Sequence, residues 1–120
     1  MPDTIVEAAD AYLATFNAAG PQRTELLTRH WSPSATYTDP LAEVAGHDGI
    51  AALIDGVQAQ FPGAVFSRLG EPDAHHRQLR FRWGLGPDGA EPVVVGFDVL
   101  VLDEDGRIRD VLGFLDRVPG

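Results

Sequence analysis

The chain has 120 residues, 44% of them apolar and 22% charged, with nine basic against eighteen acidic side chains. A single domain spanning residues 1–120 with a sizeable core is expected, and the net charge of −9 argues against nucleic acid and anionic membranes as partners. There is no cysteine, hence no disulfide framework and no thiolate chemistry; no apolar run approaches a membrane span, and Met1-Pro2-Asp3-Thr4 does not read as a signal peptide, so the expectation is a cytoplasmic protein.

Asp3-Thr4 can cap a helix opening at Ile5, where Ile5, Ala9, Tyr12, Leu13 and Phe16 recur at helical spacing and put Tyr12 among the core residues. Ala18-Ala19-Gly20-Pro21 closes that helix. A second helix is predicted over about Gln22–His30, with Leu26, Leu27 and Trp31 on its buried side and a break at Ser32-Pro33-Ser34. Ala35–Asp39 has strand composition, and Pro40 forces Asp39 into extended geometry at the strand's end. Leu41–Gly46 reads as a loop. A third helix starts at Gly46-His47-Asp48-Gly49, with His47 or Asp48 near its cap and Ile50, Leu53, Ile54, Val57 and Phe61 as its apolar face.

The remainder reads as strands: Ala64–Leu69, His75–Leu85, Val93–Leu102 and Arg107–Asp116, with turns at Gly86–Gly89 and Asp103–Gly106. Helices followed by a meander give an α+β architecture, a curved antiparallel sheet wrapped on three helices. Such a cone leaves a cavity between its concave face and the helices, and Phe16, Trp31, Phe61, Trp83 and Phe114 are expected to line it.

Val93–Leu102 holds one carboxylate in an otherwise apolar run. Alternation places Asp98 on one face with Val94, Gly96, Leu100 and Leu102, and Val93, Val95, Phe97, Val99 and Val101 on the other. A bare carboxylate cannot be buried cheaply, so Asp98 must be paired or protonated. If Phe81 and Trp83 face inward, Arg80 and Arg82 face outward and cannot be its partner. The second, wholly apolar face predicts a homodimer through the sheet. His75 and His76, adjacent on a strand, would point to opposite faces and could not chelate one ion together, so no metal site is expected. No Gly-rich phosphate loop opens a helix, no Ser–His pair is evident, and no cofactor is implied.

Trp31–Pro40, which ends in an acid followed by proline, Ala45–Ile50, which opens the third helix, and Phe97-Asp98 through Phe114, a closing hairpin, carry a family resemblance. The chain resembles the nuclear transport factor 2-like superfamily (of cystatin-like topology), the cone-shaped α+β barrel of SnoaL-like polyketide cyclases and ketosteroid isomerases. The isomerases carry a Tyr in the first helix, an Asp before Pro at the end of the first strand and an Asp in a long apolar strand. Those places fall here on Tyr12, Asp39 and Asp98. The resemblance implies Asp39 as general base, with Tyr12 and a protonated Asp98 donating to the enolate oxygen of a small hydrophobic carbonyl compound. Two other readings stay open: a SnoaL-like polyketide cyclase or epoxide-opening enzyme with Asp98 as general acid, and a non-catalytic domain for hydrophobic ligands or dimerisation. Whether Tyr12, Asp39 and Asp98 point into one cavity separates the catalytic readings from the last.

Overall fold

The computed structural model describes residues 2–119, with side chains from Val6 onward. In chain order the elements are α1 (Pro2–Asn17), α2 (Gly20–His30), β1 (Trp31–Asp39), β2 (Ala42–Ala45), α3 (Gly46–Gln60), β3 (Ala64–His75), β4 (Gln78–Pro87), β5 (Val94–Leu102) and β6 (Ile108–Arg117). Helix α1 opens at Pro2, ahead of the expected cap. The Asp3-Thr4 cap and the side chain of Ile5 lie outside the described side chains. From there the predicted stripe holds, with Ala9, Tyr12, Leu13 and Phe16 buried.

Gly20-Pro21 does not close α1 but opens α2. Gly20 takes a φ of +60°, which glycine alone adopts freely, and Pro21 sits in the first turn, where a missing N–H costs no helical bond. Trp31 is not on the face of α2 but is the first residue of β1, fully buried, its Nε1 donating to Thr15 Oγ1 at 3.1 Å. The break read at Ser32–Ser34 is an irregularity inside β1, where the pairing with β6 shifts register around Pro33. The expected loop after Asp39 contains β2, too short to show a period. Helix α3 has no side-chain cap; His47 Nε2 instead lies 3.1 Å from the carbonyl oxygens of Trp31 and Ser32 and ties the helix start to β1.

The six strands form one curved, unclosed sheet in the order β2-β1-β6-β5-β4-β3. It is mixed rather than wholly antiparallel. β2 takes one edge of β1 as a hairpin, and β6 arrives at the other edge running in the same direction as β1. Register shifts in β3 between Leu69 and Asp73, and at both ends of β5, bend the strands around the helices. The first of these lets β3 continue past Gly70 and Pro72 to His75, six residues beyond the predicted end. α1 packs on β3 and β4, and α3 on β1 and β2. Between helices and sheet lies a core of which Tyr12, Trp31, Ile50, Ile54, Leu79, Leu100, Ile108 and Val111 are fully buried members. Each such side chain stabilises the fold by roughly 1.5–3 kcal/mol through apolar burial.

Candidate active site

Alternation along β5 sends Val94, Gly96, Asp98, Leu100 and Leu102 inward, all buried. Asp98 is 1% exposed and pairs in register with Phe81 on β4 and Gly113 on β6. Gly113 makes room for two acids. A Cβ there would come within 2.8 Å of Asp98 Oδ1 and 3.3 Å of the Asp39 Cβ. Asp39, Gly113 and Asp98 therefore form a row across β1, β6 and β5, which puts the two acidic Cα atoms roughly 10 Å apart.

Among the described residues no cation reaches Asp98. Arg80 and Arg82 point outward, where they meet Asp73 at 3.2 Å and Asp116 at 3.8 Å. Burial pushes the Asp98 carboxyl up to about 6; donors on Tyr12 and Trp83 pull it down, and the charge of Asp39 pushes it up. Those two donors lie close enough to act on the carboxyl, yet no bond of ordinary geometry closes onto its second oxygen. Asp98 Oδ2 and Trp83 Nε1 are both buried and both without a partner. Tyr12 is held in one orientation by aromatic neighbours, Phe16 at 4.8 Å, Phe81 at 5.5 Å and Trp31 at 5.6 Å between ring centroids. Burial, then the charge of Asp98, keeps its hydroxyl protonated well above the ordinary tyrosine range.

Asp39 is built differently. It is half-buried at the end of β1 and is fully engaged: Oδ1 accepts from the backbone N–H of Leu41 at 2.8 Å and of Ala42 at 2.9 Å, and Oδ2 accepts from the Tyr37 hydroxyl at 2.7 Å. Tyr37 lies two residues earlier on the same inward face and is 5% exposed. Burial and its bond to Asp39 keep its hydroxyl protonated. Tyr12 and Tyr37 lie next to each other, so their hydroxyls span the gap between the two carboxyls.

These groups face one cavity of about 450 Å³. Tyr12, Tyr37, Asp39 and Gln60 are its polar lining; Phe16, Phe61, Phe66, Trp83 and Leu115 are among its apolar walls. Asp98 is not on the cavity surface and stands behind Tyr12 and Trp83. The volume is in the range that takes a ligand of small-molecule size, ~300–1,000 Å³.

Residues 9–111 match the model of the SnoaL-like domain. The chain belongs to the SnoaL-like domain family. Its structure superposes with a TM-score of 0.89 on a candidate isomerase of the SnoaL-like family from Agrobacterium tumefaciens, at 37% identity over 95% of this chain and 98% of that one. It also resembles a candidate ketosteroid isomerase from Kribbella flavida, with a TM-score of 0.72 at 15% identity over 99% of this chain and 82% of the other. A candidate polyketide cyclase from Sinorhizobium meliloti gives a TM-score of 0.71 at 15% identity over 97% and 99%. The latter two speak for the fold alone. No curated protein matches the sequence.

In this SnoaL-like domain the expected lining divides. Phe16, Phe61 and Trp83 reach the cavity. Trp31 does not, being enclosed in the core at 0% exposure. Phe114 points the other way and is 58% exposed on the outer face of β6. The cause is one extra residue in β6: Leu102 pairs with Ile108 but Val101 pairs with Asp110, so Val111, Gly113 and Leu115 point inward after the bulge instead of the even-numbered residues. Leu115 takes the place expected for Phe114. His75 and His76 do not alternate on a strand either. They flank the β3–β4 turn, where His76 has a φ of +55° and the two Nδ1 atoms lie 3.0 Å apart. Among the described residues no group of three or more His, Cys, Asp or Glu side chains is placed to hold a metal ion. Nor is any described helix long and apolar enough to cross a membrane. Tyr37 and the two inward glycines, Gly96 and Gly113, were not singled out from sequence. Tyr37 had a usable signal, because residues two apart on a strand share a face.

Proposed function

We propose that this SnoaL-like domain is a cofactor-independent isomerase of the ketosteroid-isomerase type, moving a proton on a small hydrophobic carbonyl compound. The observation that carries the reading is one apolar cavity with an acid, Asp39, on its wall and a second acid in unlike surroundings, Asp98, buried behind that wall. Asp39, held by three donors at the wall, takes the proton next to the carbonyl and returns it to a different carbon. The charge that builds on the carbonyl oxygen falls against the Tyr12 hydroxyl. Asp98, behind Tyr12, supports that charge only in its neutral form, since a second carboxylate there would oppose it. kcat/KM should therefore fall as pH rises through about 6 in the free enzyme.

The test is turnover of β,γ-unsaturated ketones of graded size, followed by the absorbance of the conjugated product. Wild type should convert at least one of them, and Asp39→Asn should lose on the order of a thousandfold. Equal rates in both, or no conversion across the series, would overturn the reading in favour of a ligand-binding or cyclase role for the same cavity.

A homodimer through the sheet is part of the proposal. Leu112 and Phe114 are 45% and 58% exposed on the outer face, beside the half-buried Phe97, Val99 and Val101. Sedimentation equilibrium should give twice the chain mass for wild type and a shift toward the chain mass for Phe114→Ser; a wild-type monomer would remove it.

A further inference from the structure

Trp83 separates Asp98 from the cavity, its ring on the cavity wall and only 6% exposed. Its register partner on β5 is Gly96, where a Cβ would overlap the ring at Cζ2 and Cε2. The indole thus lies flat on the one residue of the strand that has no side chain. Cε2 carries the ring nitrogen, and its N–H lies close enough to the next inward side chain of β5, Asp98, to pull that carboxyl down. At that point two buried polar atoms are left without partners, the donor Trp83 Nε1 and the acceptor Asp98 Oδ2. Burying either alone is unfavourable, and together they describe one hydrogen bond a small side-chain movement from closing. The other titratable groups facing Asp98 are Tyr12 from α1 and Asp39 and Tyr37 from β1. Arg80 and Arg82, which precede Trp83 on β4, point outward and pair there.

We propose that Trp83 is a positioning residue of the site: seated on Gly96, its indole N–H holds Oδ2 of Asp98 and fixes the carboxyl in one orientation beside Tyr12. The aromatic wall of the cavity and the acid behind it are then one mechanical unit. The inference rests on the proton-transfer reading of the cavity for its purpose, but its test needs no substrate.

The chain has two tryptophans, and the N–H of Trp31 is already taken by Thr15 Oγ1 at 3.1 Å. Nitrogen-15-labelled protein therefore gives two indole resonances, one of them an internal control. From about pH 4 to 8 the Trp83 resonance should move with a midpoint of about 6, Trp31 should stay put, and Asp98→Asn should make Trp83 flat. Trp83→Phe removes a donor to the charged form, so the titration of the Asp98 carboxyl carbon should move up by about one pH unit, and the alkaline limb of any activity profile with it. Gly96→Ala displaces the ring while keeping the N–H, and should move the same midpoint in the same direction. An indole resonance that ignores the titration of Asp98, or a midpoint unmoved in both folded variants, overturns the positioning role. If Trp83 follows Asp98 but no ketone is converted, the positioning role stands and the proposed reaction fails. Conversion with a flat Trp83 resonance leaves the reaction and removes Trp83 from it.

Discussion

Asp39 and Asp98 sit two strands apart on one sheet face, with a single glycine between them, and meet opposite surroundings. Asp39 ends its strand half-buried, and three short hydrogen bonds satisfy it as a carboxylate. Asp98 lies mid-strand at 1% exposure, with no cation beside it among the described residues and with one oxygen unpartnered. One arrangement gives the carboxyl three donors, and the other favours its neutral form, although the side chain is the same. The difference comes from position: a strand end offers free backbone N–H groups, whereas in mid-sheet those groups are already spent on neighbouring strands. A pair of acids pushed apart in this way can divide the work of taking a proton and of backing a donor.

The comparison breaks most visibly at Asp98. Its folded-state value of about 6 lies above the ordinary 3.8, so the folded chain binds this proton more tightly than the unfolded one. That contribution to stability is fully present below about pH 4 and is lost as pH rises through about 6, a change on the order of 3 kcal/mol. Asp98→Asn keeps the shape and removes the titration. Urea unfolding should find the variant close to wild type near pH 4 and more stable by a few kcal/mol at pH 7, while its turnover at pH 6 falls about a hundredfold. The same gap at both pH values would mean that Asp98 is satisfied as a carboxylate, and the contrast with Asp39 would collapse.

Strand β5 was legible because its pattern is redundant. Both faces are apolar, so the one carboxylate stands out, and a period of two assigns it a side without knowledge of the partners. Tyr12 and Asp39 were legible through a helical stripe and a following proline. Phe114 was not, because a bulge is a property of two strands paired. One extra residue in β6 reverses the side chains from Val111 to Leu115, and nothing in Arg107–Asp116 alone marks where that residue sits. The parallel pairing of β1 with β6 was hidden for the same reason, since it joins residues 74 apart in sequence, such as Thr36 and Asp110. Trp83 was expected at the cavity, but its relation to Asp98 depends on Gly96, which reads in sequence as a gap in a strand rather than as a seat for a ring. Tyr37 shares a face with Asp39 by simple alternation, and its hydroxyl is the part of the site that strand geometry alone could have supplied.

The smaller test of the comparison lies at that hydroxyl. Tyr37→Phe leaves the ring in place and removes one of the three donors to Asp39. The two backbone N–H groups remain on Oδ1, so Asp39 stays anchored but loses the bond that fixes Oδ2. A hydrogen bond to a charged acceptor of this kind stabilises the fold by about 1–2 kcal/mol, and chemical denaturation at pH 7 should show a loss of that size. Turnover should drop roughly tenfold, much less than for Asp39→Asn, because the base is still present and only its aim has loosened. The fall of activity above about pH 6 should persist, since Asp98 is untouched. If Tyr37→Phe instead abolished that fall, Asp98 would have to be coupled to Asp39 through the Tyr12–Tyr37 pair, and the two acids would act as one unit rather than as two set apart by their surroundings.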